Sequence, residues 1–340
     1  MLRQSLGRIM VGTSRSQEET AECMEEIMGG EASPALVGSF LTALALKGAT
    51  DEESAGGAMT LRKMARPFPA PGADALDTCG TGGDGKNTFN VSTAAAFVAA
   101  AAGVPVIKHG NRSASGKSGS ADVLEELGIR ISFSPERAGE IYRSLGIVFL
   151  FAPLYHDSMR HAAPIRKELG FGTIFNVLGP LANPAGTGRQ LLGVYREELV
   201  PVMAGALKRL GLSRALVVHG HGGLDEMSVS GKTTGMELAG GRLTSFSIQP
   251  EEAGLRRHRP EDLTGGSPAE NAEILRELFR GEGPESRRDF LLLNAGAAIY
   301  VGGRAESVLQ GVELARKVLM DGTVARLVDT YREMSREGLQ

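Results

Sequence analysis

Residues 76–107 read LDTCGTGGDGKNTFNVSTAAAFVAAAAGVPVI and contain one complete strand–loop–helix–strand unit. A strand ending near Cys79 leads into a glycine-rich loop, then an alanine-rich helix at about 91–102 and a second strand at 104–107. The uncharged part of this segment is long enough to suggest a membrane span, which needs ~20 apolar residues. Polar residues in its first third, and a glycine and a proline near its end, argue against a span. We therefore predict a core helix that packs closely on a sheet.

The alternation of short apolar runs with helical patterns continues toward the C-terminus, which predicts βαβ units and a mostly parallel sheet. Residues 233–248 predict a β-hairpin that turns at Gly240-Gly241, and the tail at about 268–337 predicts helices. The apolar runs lie at 104–107, 148–151, 191–194 and 215–218, and helical patterns between them lie at 135–145 and 197–210.

The N-terminal part of the chain, residues 1–66, shows only helical patterns. Two capping boxes begin helices there, Ser16 with Glu19 and Thr50 with Glu53. The proline-rich stretch 67–74 predicts a linker. We expect a small helical domain at 1–70 and a large α/β domain at 71–340, with a binding cleft between them.

The composition excludes several classes of protein. The chain of 340 residues has 37 Lys+Arg against 40 Asp+Glu, a net charge of −3, so we expect no nucleic-acid partner and no membrane anchor. The N-terminal MLRQSLGRIM lacks the apolar core of a signal peptide. Cys23 and Cys79 cannot form a disulfide framework, which favours a reduced, cytoplasmic location. Glycine, at 46 residues, is about twice as frequent as usual and indicates backbone-lined loops.

The loop at 80–85, GTGGDG, predicts phosphate or pyrophosphate binding. Its glycines permit turns with positive φ that bring N–H groups toward a ligand. Asn90, Ser92 and Thr93 follow at a helix N-terminus, where the helix dipole favours an anion. The loop is neither a Walker A motif nor a dinucleotide fingerprint, and a plain strand-to-helix connector is the alternative.

A second polar loop, KHGNRSASGKSGS at 108–120, follows a strand that we predict to end at Ile107. Lys108, Arg112 and Lys117 supply positive charge there. Since open α/β sheets bind ligands at the carboxyl ends of their parallel strands, two such loops favour a polyphosphate site over a solvated surface loop.

Asp225 and Glu226 follow another predicted strand, and adjacent carboxylates suit Mg²⁺ carried with a phosphorylated substrate. A solvated acidic pair is the alternative. His219 and His221 lack the further soft ligands that zinc would need. Cys79 is interpreted as a small buried residue, because nothing nearby would lower the pKa of its thiol.

Arg160 and Arg166 are predicted to lie on one helix, which is followed by Gly179-Pro180. Arginine pairs bidentately with planar carboxylates, so these residues suggest a carboxylate site, with a surface salt bridge as the alternative.

Together these motifs resemble the anthranilate phosphoribosyltransferase family over nearly the whole chain. They are GTGGD (80–84), NVST (90–93), KHGNR (108–112), SGSAD (118–122), RHA (160–162) with Arg166, NVLGP (176–180) and LDE (224–226). The resemblance implies a homodimer with a nucleoside-phosphorylase-like (class II) phosphoribosyltransferase fold, in which a segment at about 165–190 returns to the small domain. The implied reaction joins the 5-phosphoribosyl group of 5-phosphoribosyl-1-diphosphate (PRPP) to the amine of anthranilate and releases diphosphate, in tryptophan biosynthesis.

The resemblance also implies roles for individual residues. Those implied to contact PRPP are Gly80, Gly83, Asp84, Thr88, Asn90, Val91, Ser92, Thr93, Lys108, His109, Gly110, Asn111, Arg112, Ser113, Ala114, Ser115, Gly116 and Ser120. Those implied to contact anthranilate are Gly80, His109, Asn111, Arg166, Gly179 and Pro180. Ser92, Asp225 and Glu226 are implied to hold Mg²⁺, as two ions.

The chemistry of PRPP fits this set of residues. PRPP brings about five negative charges, more than the loop cations balance, so added divalent cations are physically sensible. Cleavage at C1′ through an oxocarbenium-like transition state needs the departing diphosphate to be stabilised, which we assign to Lys108, Arg112 and the metal. No residue is assigned as a general base, since an aromatic amine is already neutral near pH 7.

Two other functions stay open at this point. One is a pyrimidine nucleoside phosphorylase of similar fold. The other is a non-catalytic nucleic-acid-binding relative, which would need a basic groove, although the only dense basic run is Arg256-Arg257-His258-Arg259.

Overall fold

A computed structural model describes residues 1–113 and 117–337 of the chain. The predicted contacts of Ala114, Ser115 and Gly116 lie outside the described residues.

The N-terminal part is helical, as predicted. Its helices are α1 (Leu2–Ile9), α2 (Gln17–Met28), α3 (Pro34–Lys47) and α4 (Asp51–Met64). Both predicted capping boxes are present, at the starts of α2 and α4. In each box the side chain of the capping residue accepts a hydrogen bond from a backbone N–H that the helix leaves unpaired.

The described residues form one sheet of seven strands in the order β3-β2-β1-β4-β5-β6-β7. The first five are parallel, and β6 and β7 add an antiparallel hairpin at one edge, which confirms the mostly parallel sheet and the turn at Gly240-Gly241. The strands are β1 (Leu76–Gly80), β2 (Val106–Gly110), β3 (Ile147–Phe151), β4 (Arg189–Gly193), β5 (Arg214–His219), β6 (Thr233–Ala239) and β7 (Arg242–Ile248).

The strand β2 was predicted at 104–107, which is wrong at both ends. Its pairing with β3 starts at Val106 and continues from Lys108 opposite Phe149 to Gly110 opposite Phe151. The backbone hydrogen bonds of this ladder outweigh the polar character of the side chains, so Lys108 and His109 belong to the strand and not to the loop.

Helices cover both faces of the sheet, and the tail is helical, as predicted. They are α5 (Val91–Ala101), α6 (Ser120–Glu126), α7 (Pro135–Leu145), α8 (Ala152–Tyr155), α9 (Ala163–Leu169), α10 (Phe175–Leu178), α11 (Leu199–Arg209), α12 (Pro268–Phe279), α13 (Glu285–Val301), α14 (Val308–Met320) and α15 (Thr323–Arg336). In the part of the chain that the structure describes, no helix is long and apolar enough to cross a membrane.

The alanine-rich helix α5 lies in the core, as predicted. Ala94, Ala95 and Ala99 are fully buried, and the helix packs on β1 and on α13. Small side chains permit this close approach, because little volume separates the helix from its neighbours.

Arg160 and Arg166 do not share a helix, contrary to the prediction. Arg160 lies in a 3₁₀ helix, Asp157–His161, and Arg166 lies in α9. Pro164 sits in the first turn of α9, where proline fits the start of a helix, and this starts a separate segment.

Two clusters of buried apolar side chains hold the molecule together. The first surrounds α5 and α13. The second joins α2, α3 and α4 to α11 and to the segment 174–182. Successive strand residues contribute to different clusters, with Leu191 in the first and Leu192 in the second, because side chains alternate between the faces of a sheet.

Candidate functional site

The glycine loop follows β1 at the carboxyl edge of the sheet. Gly82 and Gly83 have φ of 67° and 80°, a conformation that residues with a Cβ rarely adopt. The turn directs the Gly82 N–H at the Oδ2 atom of Asp225, 2.7 Å away. The loop and the acidic pair therefore meet in the structure, although 143 residues separate them in sequence.

The acidic pair is held tightly against the ends of the strands. A Cβ on Gly193 would lie 1.6 Å from the backbone oxygen of Asp225, and one on Gly80 would lie 2.3 Å from its Oδ2. Burial, followed by the nearby Asp84 carboxylate, raises the pKa of Asp225. Burial and the Asp225 carboxylate raise the pKa of Glu226. Several carboxylates thus share one poorly solvated site, an arrangement that favours binding a cation.

Lys108 lies beneath this site instead of in a solvent-exposed loop. Its side chain is buried, and Nζ donates to the backbone oxygen of Thr78 and lies 3.4 Å from Ser92 Oγ. Its charge opposes the rise in the pKa of Glu226. The ammonium group therefore lies between β1, the start of α5 and the acidic pair.

Asn90 ties the two predicted phosphate loops together. Its Nδ2 donates to the Ser118 backbone oxygen at 3.1 Å, and its Oδ1 accepts from Ser118 Oγ at 3.1 Å. Asn271, in α12, also donates to Asn90 Oδ1, at 3.0 Å. We missed Asn271 in the sequence, because a single asparagine in a C-terminal helix carries no local signal.

Within the second loop, Arg112 is engaged with carboxylates. Its Nη1 lies 3.0 Å from Asp122 Oδ1, and its Nη2 lies 2.9 Å from Glu125 Oε1. Asp122 Oδ2 in turn accepts from the backbone N–H groups of Ser113 and Gly119, at 3.0 and 2.9 Å. Asp122 therefore organises the loop, and Arg112 must exchange partners before it can bind a phosphate.

The remaining predicted contacts lie along the same edge. Thr88 forms a β-bridge with Thr264, and Val91 and Thr93 are buried in the first turn of α5. A Cβ on Gly110 would lie 2.4 Å from Ser120 Oγ, so β2 and the start of α6 approach closely at this point.

His109 lies in a buried polar cluster where the helical part meets the sheet. Its ring packs against that of His156, with 5.1 Å between the ring centres, and its Nε2 has no hydrogen-bond partner among the described residues. Burial, followed by His156, lowers the pKa of His109 to about 3. Burial raises the pKa of Asp77 to about 6, and Asp77 accepts from the backbone N–H of His109 at 3.3 Å.

The Gly179-Pro180 turn is fixed by long polar side chains around it. Gln190 Nε2 donates to the Pro180 oxygen at 2.6 Å, and Arg62 Nε donates to the Leu181 oxygen at 2.7 Å. Asn183 Nδ2 donates to Asp77 Oδ2 at 2.8 Å. The turn is therefore attached both to the sheet and to α4.

Arg166 has no carboxylate partner in the part of the chain that the structure describes. Its guanidinium lies 5.1 Å from the centre of the Phe175 ring. Burial lowers its pKa. Asn111 is exposed, and its Oδ1 accepts from the Arg112 N–H at 2.7 Å. No hydrogen bond or ion pair among the described residues joins Arg166 to Asn111.

The donor set fits magnesium better than zinc. Within residues 1–113 and 117–337, no three His, Cys, Asp or Glu side chains form a metal site by themselves. Mg²⁺ commonly uses one or two carboxylates and completes its shell with substrate phosphates and water, which matches Asp225 and Glu226 beside a phosphate loop. Burial raises the pKa of the Cys79 thiol, which favours a structural role for that residue.

The basic run at 256–259 does not form a free cationic surface. Arg256, Arg257 and Arg259 pair with Glu285, Glu251 and Asp262 respectively.

Comparison with known proteins identifies relatives over nearly the full length. Two glycosyl transferase family models match, the helical bundle domain over residues 3–65 and the a/b domain over residues 72–325. The anthranilate phosphoribosyltransferase of Brevibacillus brevis is 48% identical over 335 residues, 98% of each chain. That of Rubrobacter xylanophilus is 48% identical over 336 residues, 99% of this chain and 98% of the relative.

Solved structures agree with this match. Anthranilate phosphoribosyltransferase from Thermus thermophilus superimposes with a TM-score of 0.92 at 45% identity, over 98% of this chain and 99% of that one. The enzyme from Saccharomyces cerevisiae, solved in complex with PRPP and Mg, gives a TM-score of 0.89 at 29% identity, over 98% and 97%. The expected fold, a small helical domain with a large α/β domain, is confirmed.

Proposed function

This chain belongs to the anthranilate phosphoribosyltransferase family, and from that premise we propose how its own residues bind the two substrates. The reaction transfers the 5-phosphoribosyl group of PRPP to the amine of anthranilate, giving N-(5-phosphoribosyl)anthranilate and diphosphate, in tryptophan biosynthesis. It uses Mg²⁺.

PRPP binds at the carboxyl edge of β1 and β2. The observation that carries this proposal is the meeting of the Gly82 N–H with Asp225, beside Lys108 and Ser92 at the start of α5. Backbone N–H groups and a helix N-terminus bind phosphate oxygens, and the buried ammonium group adds fixed positive charge. Asn90 keeps the two phosphate loops at a constant separation through its hydrogen bonds to Ser118.

Asp225, Glu226 and Ser92 hold Mg²⁺, as two ions in our proposal. A metal held there would supply positive charge beside the diphosphate leaving group. The carboxylates would fix the position of the metal ion. Their own position is maintained by the hydrogen bond from the Gly82 N–H and by the close approach of Gly193 to Asp225.

The protein promotes the transfer mainly by orientation and electrostatics. Lys108 and, after it exchanges partners, Arg112 stabilise the departing diphosphate. Positive charge develops on the ribose, and the neutral aryl amine attacks C1′ from the opposite side. The amine then loses its proton to solvent or to diphosphate, so no side chain is assigned as a base.

Anthranilate binds between the helical part and the sheet. We assign its carboxylate to Arg166, whose guanidinium has no carboxylate partner among the described residues. Asn111 contacts the bound acid near C1′. His109 with Gly80, and the Gly179-Pro180 turn, line the channel, and the neutral form of His109 suits an aromatic neighbour.

The test follows the fluorescence of anthranilate with the purified protein. We expect the signal to fall only when PRPP and Mg²⁺ are both present. Turnover of thymidine or uridine with phosphate, in place of this reaction, would contradict the proposal. Retention of single-stranded DNA at physiological ionic strength would point to the nucleic-acid-binding alternative.

Three further features belong to this proposal. The chain forms a homodimer, which the exposed apolar side chains of Met10, Val11 and Leu46 support. It acts in the cytoplasm, which its two free cysteines support. The domain boundary lies near residue 70, and the segment at about 165–190 returns to the small domain, which the packing of residues 174–182 in the second cluster supports.

A further inference from the structure

We propose that Asn294, in α13, is a positioning residue that fixes the direction of the Asp225 and Glu226 carboxylates. The inference rests on the proposed metal-binding role of this pair. Asn294 lies in the helical tail, outside every motif discussed above.

The contact is a pair of hydrogen bonds to one residue. The Met227 backbone N–H donates to Asn294 Oδ1 at 3.0 Å, and Asn294 Nδ2 donates to the Met227 backbone oxygen at 3.0 Å. Nδ2 also donates to the Phe290 oxygen, one helical turn earlier, at 3.0 Å. The amide therefore holds both polar groups of Met227 and is itself anchored to α13.

Burial makes this contact hard to replace. Asn294 is 1% exposed and Met227 is fully buried, so water cannot substitute for the lost partner. A buried backbone group without a partner is costly, and the segment would shift to satisfy it. Met227 directly follows Glu226 in the chain, so such a shift would move the carboxylates.

The other contacts of the segment do not fix it alone. Gly193 limits the backbone of Asp225 on one side, and the Gly82 N–H binds one carboxylate oxygen. The backbone oxygen of Glu226 approaches Gly220, where a Cβ would lie 2.3 Å from it, and Asn294 binds the residue beyond Glu226. These close approaches restrict space on the glycine side, whereas Asn294 supplies the hydrogen bonds that hold the residue directly after Glu226.

Three substitutions test the role in the full-length protein. Asn294→Asp keeps the acceptor oxygen but replaces the Nδ2 donor with an oxygen that faces the carbonyl oxygens of Met227 and Phe290. Asn294→Leu removes all three hydrogen bonds and keeps a side chain of similar size. If Asn294→Asp or Asn294→Leu fails to fold, Asn294→Ser is used in its place. Leu292→Ala is the control, because Leu292 is buried in the same helix and packs in the apolar core.

The main measurement is calorimetric titration of Mg²⁺ into protein with PRPP and without anthranilate. Loss of a partner that orients a metal ligand typically costs roughly 10- to 100-fold in metal affinity, so we expect a weakening in that range for Asn294→Asp. The KM for anthranilate, measured at saturating Mg²⁺, should stay within about twofold. Leu292→Ala should lower the melting temperature and leave Mg²⁺ affinity unchanged.

Unchanged Mg²⁺ affinity in the folded Asn294 variants would overturn the inference, and so would an equal loss in Leu292→Ala. Asp225→Asn separates this failure from failure of the proposed site. If Asp225→Asn leaves Mg²⁺ affinity unchanged, the metal assignment itself is wrong. If Asp225→Asn weakens it and the Asn294 variants do not, only the positioning role is wrong.

Discussion

Replacement of the buried histidine His109 should make the protein less sensitive to mild acid. The pKa of His109 is lowered from 6.5 to about 3 in the folded chain, because its ring is buried beside His156. Below pH 6.5 the unfolded chain binds a proton at this position and the folded chain does not. Stability is therefore lost as the pH falls from 6.5 toward 3, and His109→Asn removes that loss.

The size of the effect follows from the two pKa values. Between pH 7 and pH 5, the unfolded chain gains most of one proton and the folded chain gains almost none. Integration over this interval gives a loss of about 2 kcal/mol in the free energy of unfolding from His109 alone. The free energy of unfolding of His109→Asn minus that of the unsubstituted protein should therefore rise by about 2 kcal/mol between pH 7 and pH 5. The variant gains stability relative to the unsubstituted protein as the pH falls.

Urea unfolding at pH 7, 6 and 5 measures the difference, and Asp77 supplies a control of opposite sign. The pKa of Asp77 is raised from 3.8 to about 6, so its folded form gains a proton first as the pH falls and is stabilised by about 1 kcal/mol between pH 7 and pH 5. Asp77→Asn should therefore lose relative stability over the interval in which His109→Asn gains it. Parallel pH profiles for the two variants would refute the reasoning.

Three further predictions concern the substrates. Arg166→Ala should raise the anthranilate KM about 10- to 100-fold, since a hydrogen bond to a charged group is worth about 1.5–3 kcal/mol. Steady-state kinetics should show little change in the PRPP KM, and equal effects on both KM values would contradict the carboxylate assignment. Asp225→Asn combined with Glu226→Gln should abolish most Mg²⁺-dependent turnover, and a normal Mg²⁺ titration of activity would exclude the pair as ligands. In Gly80→Ala the new Cβ would lie 2.3 Å from Asp225 Oδ2, so PRPP binding by calorimetry should weaken, whereas Gly7→Ala, with no atom within 4 Å of its Cβ, should bind PRPP normally.

Much of the fold could be predicted because it depends on local patterns. The capping residues of α2 and α4, the Gly240-Gly241 turn and the alternation of strands with helices each carry a signal within a few residues. The site could be anticipated for a related reason. Loops that follow neighbouring parallel strands lie at one edge of a sheet, so the separate motifs had to meet there.

Contacts between distant segments left no such signal. Asn271 and Asn294 are single amides in helices, and only the packing of α12 and α13 brings them to Asn90 and Met227. The end of β2 was missed because Lys108 has a polar side chain, whereas pairing with β3 determines where the strand stops. In contrast, Pro164 is a local signal in the sequence, and the prediction of one helix for Arg160 and Arg166 overlooked that it begins a new helix there.

The second apolar cluster has a consequence for how the chain can be divided. Leu41 of α3 and Leu61 of α4 belong to the same cluster as Met203 of α11 and Val217 of β5. A fragment cut at the proline-rich linker would leave these faces uncovered in water on both pieces. Because the four N-terminal helices share this cluster with α11 and β5, we expect each fragment alone to be less stable than the intact chain.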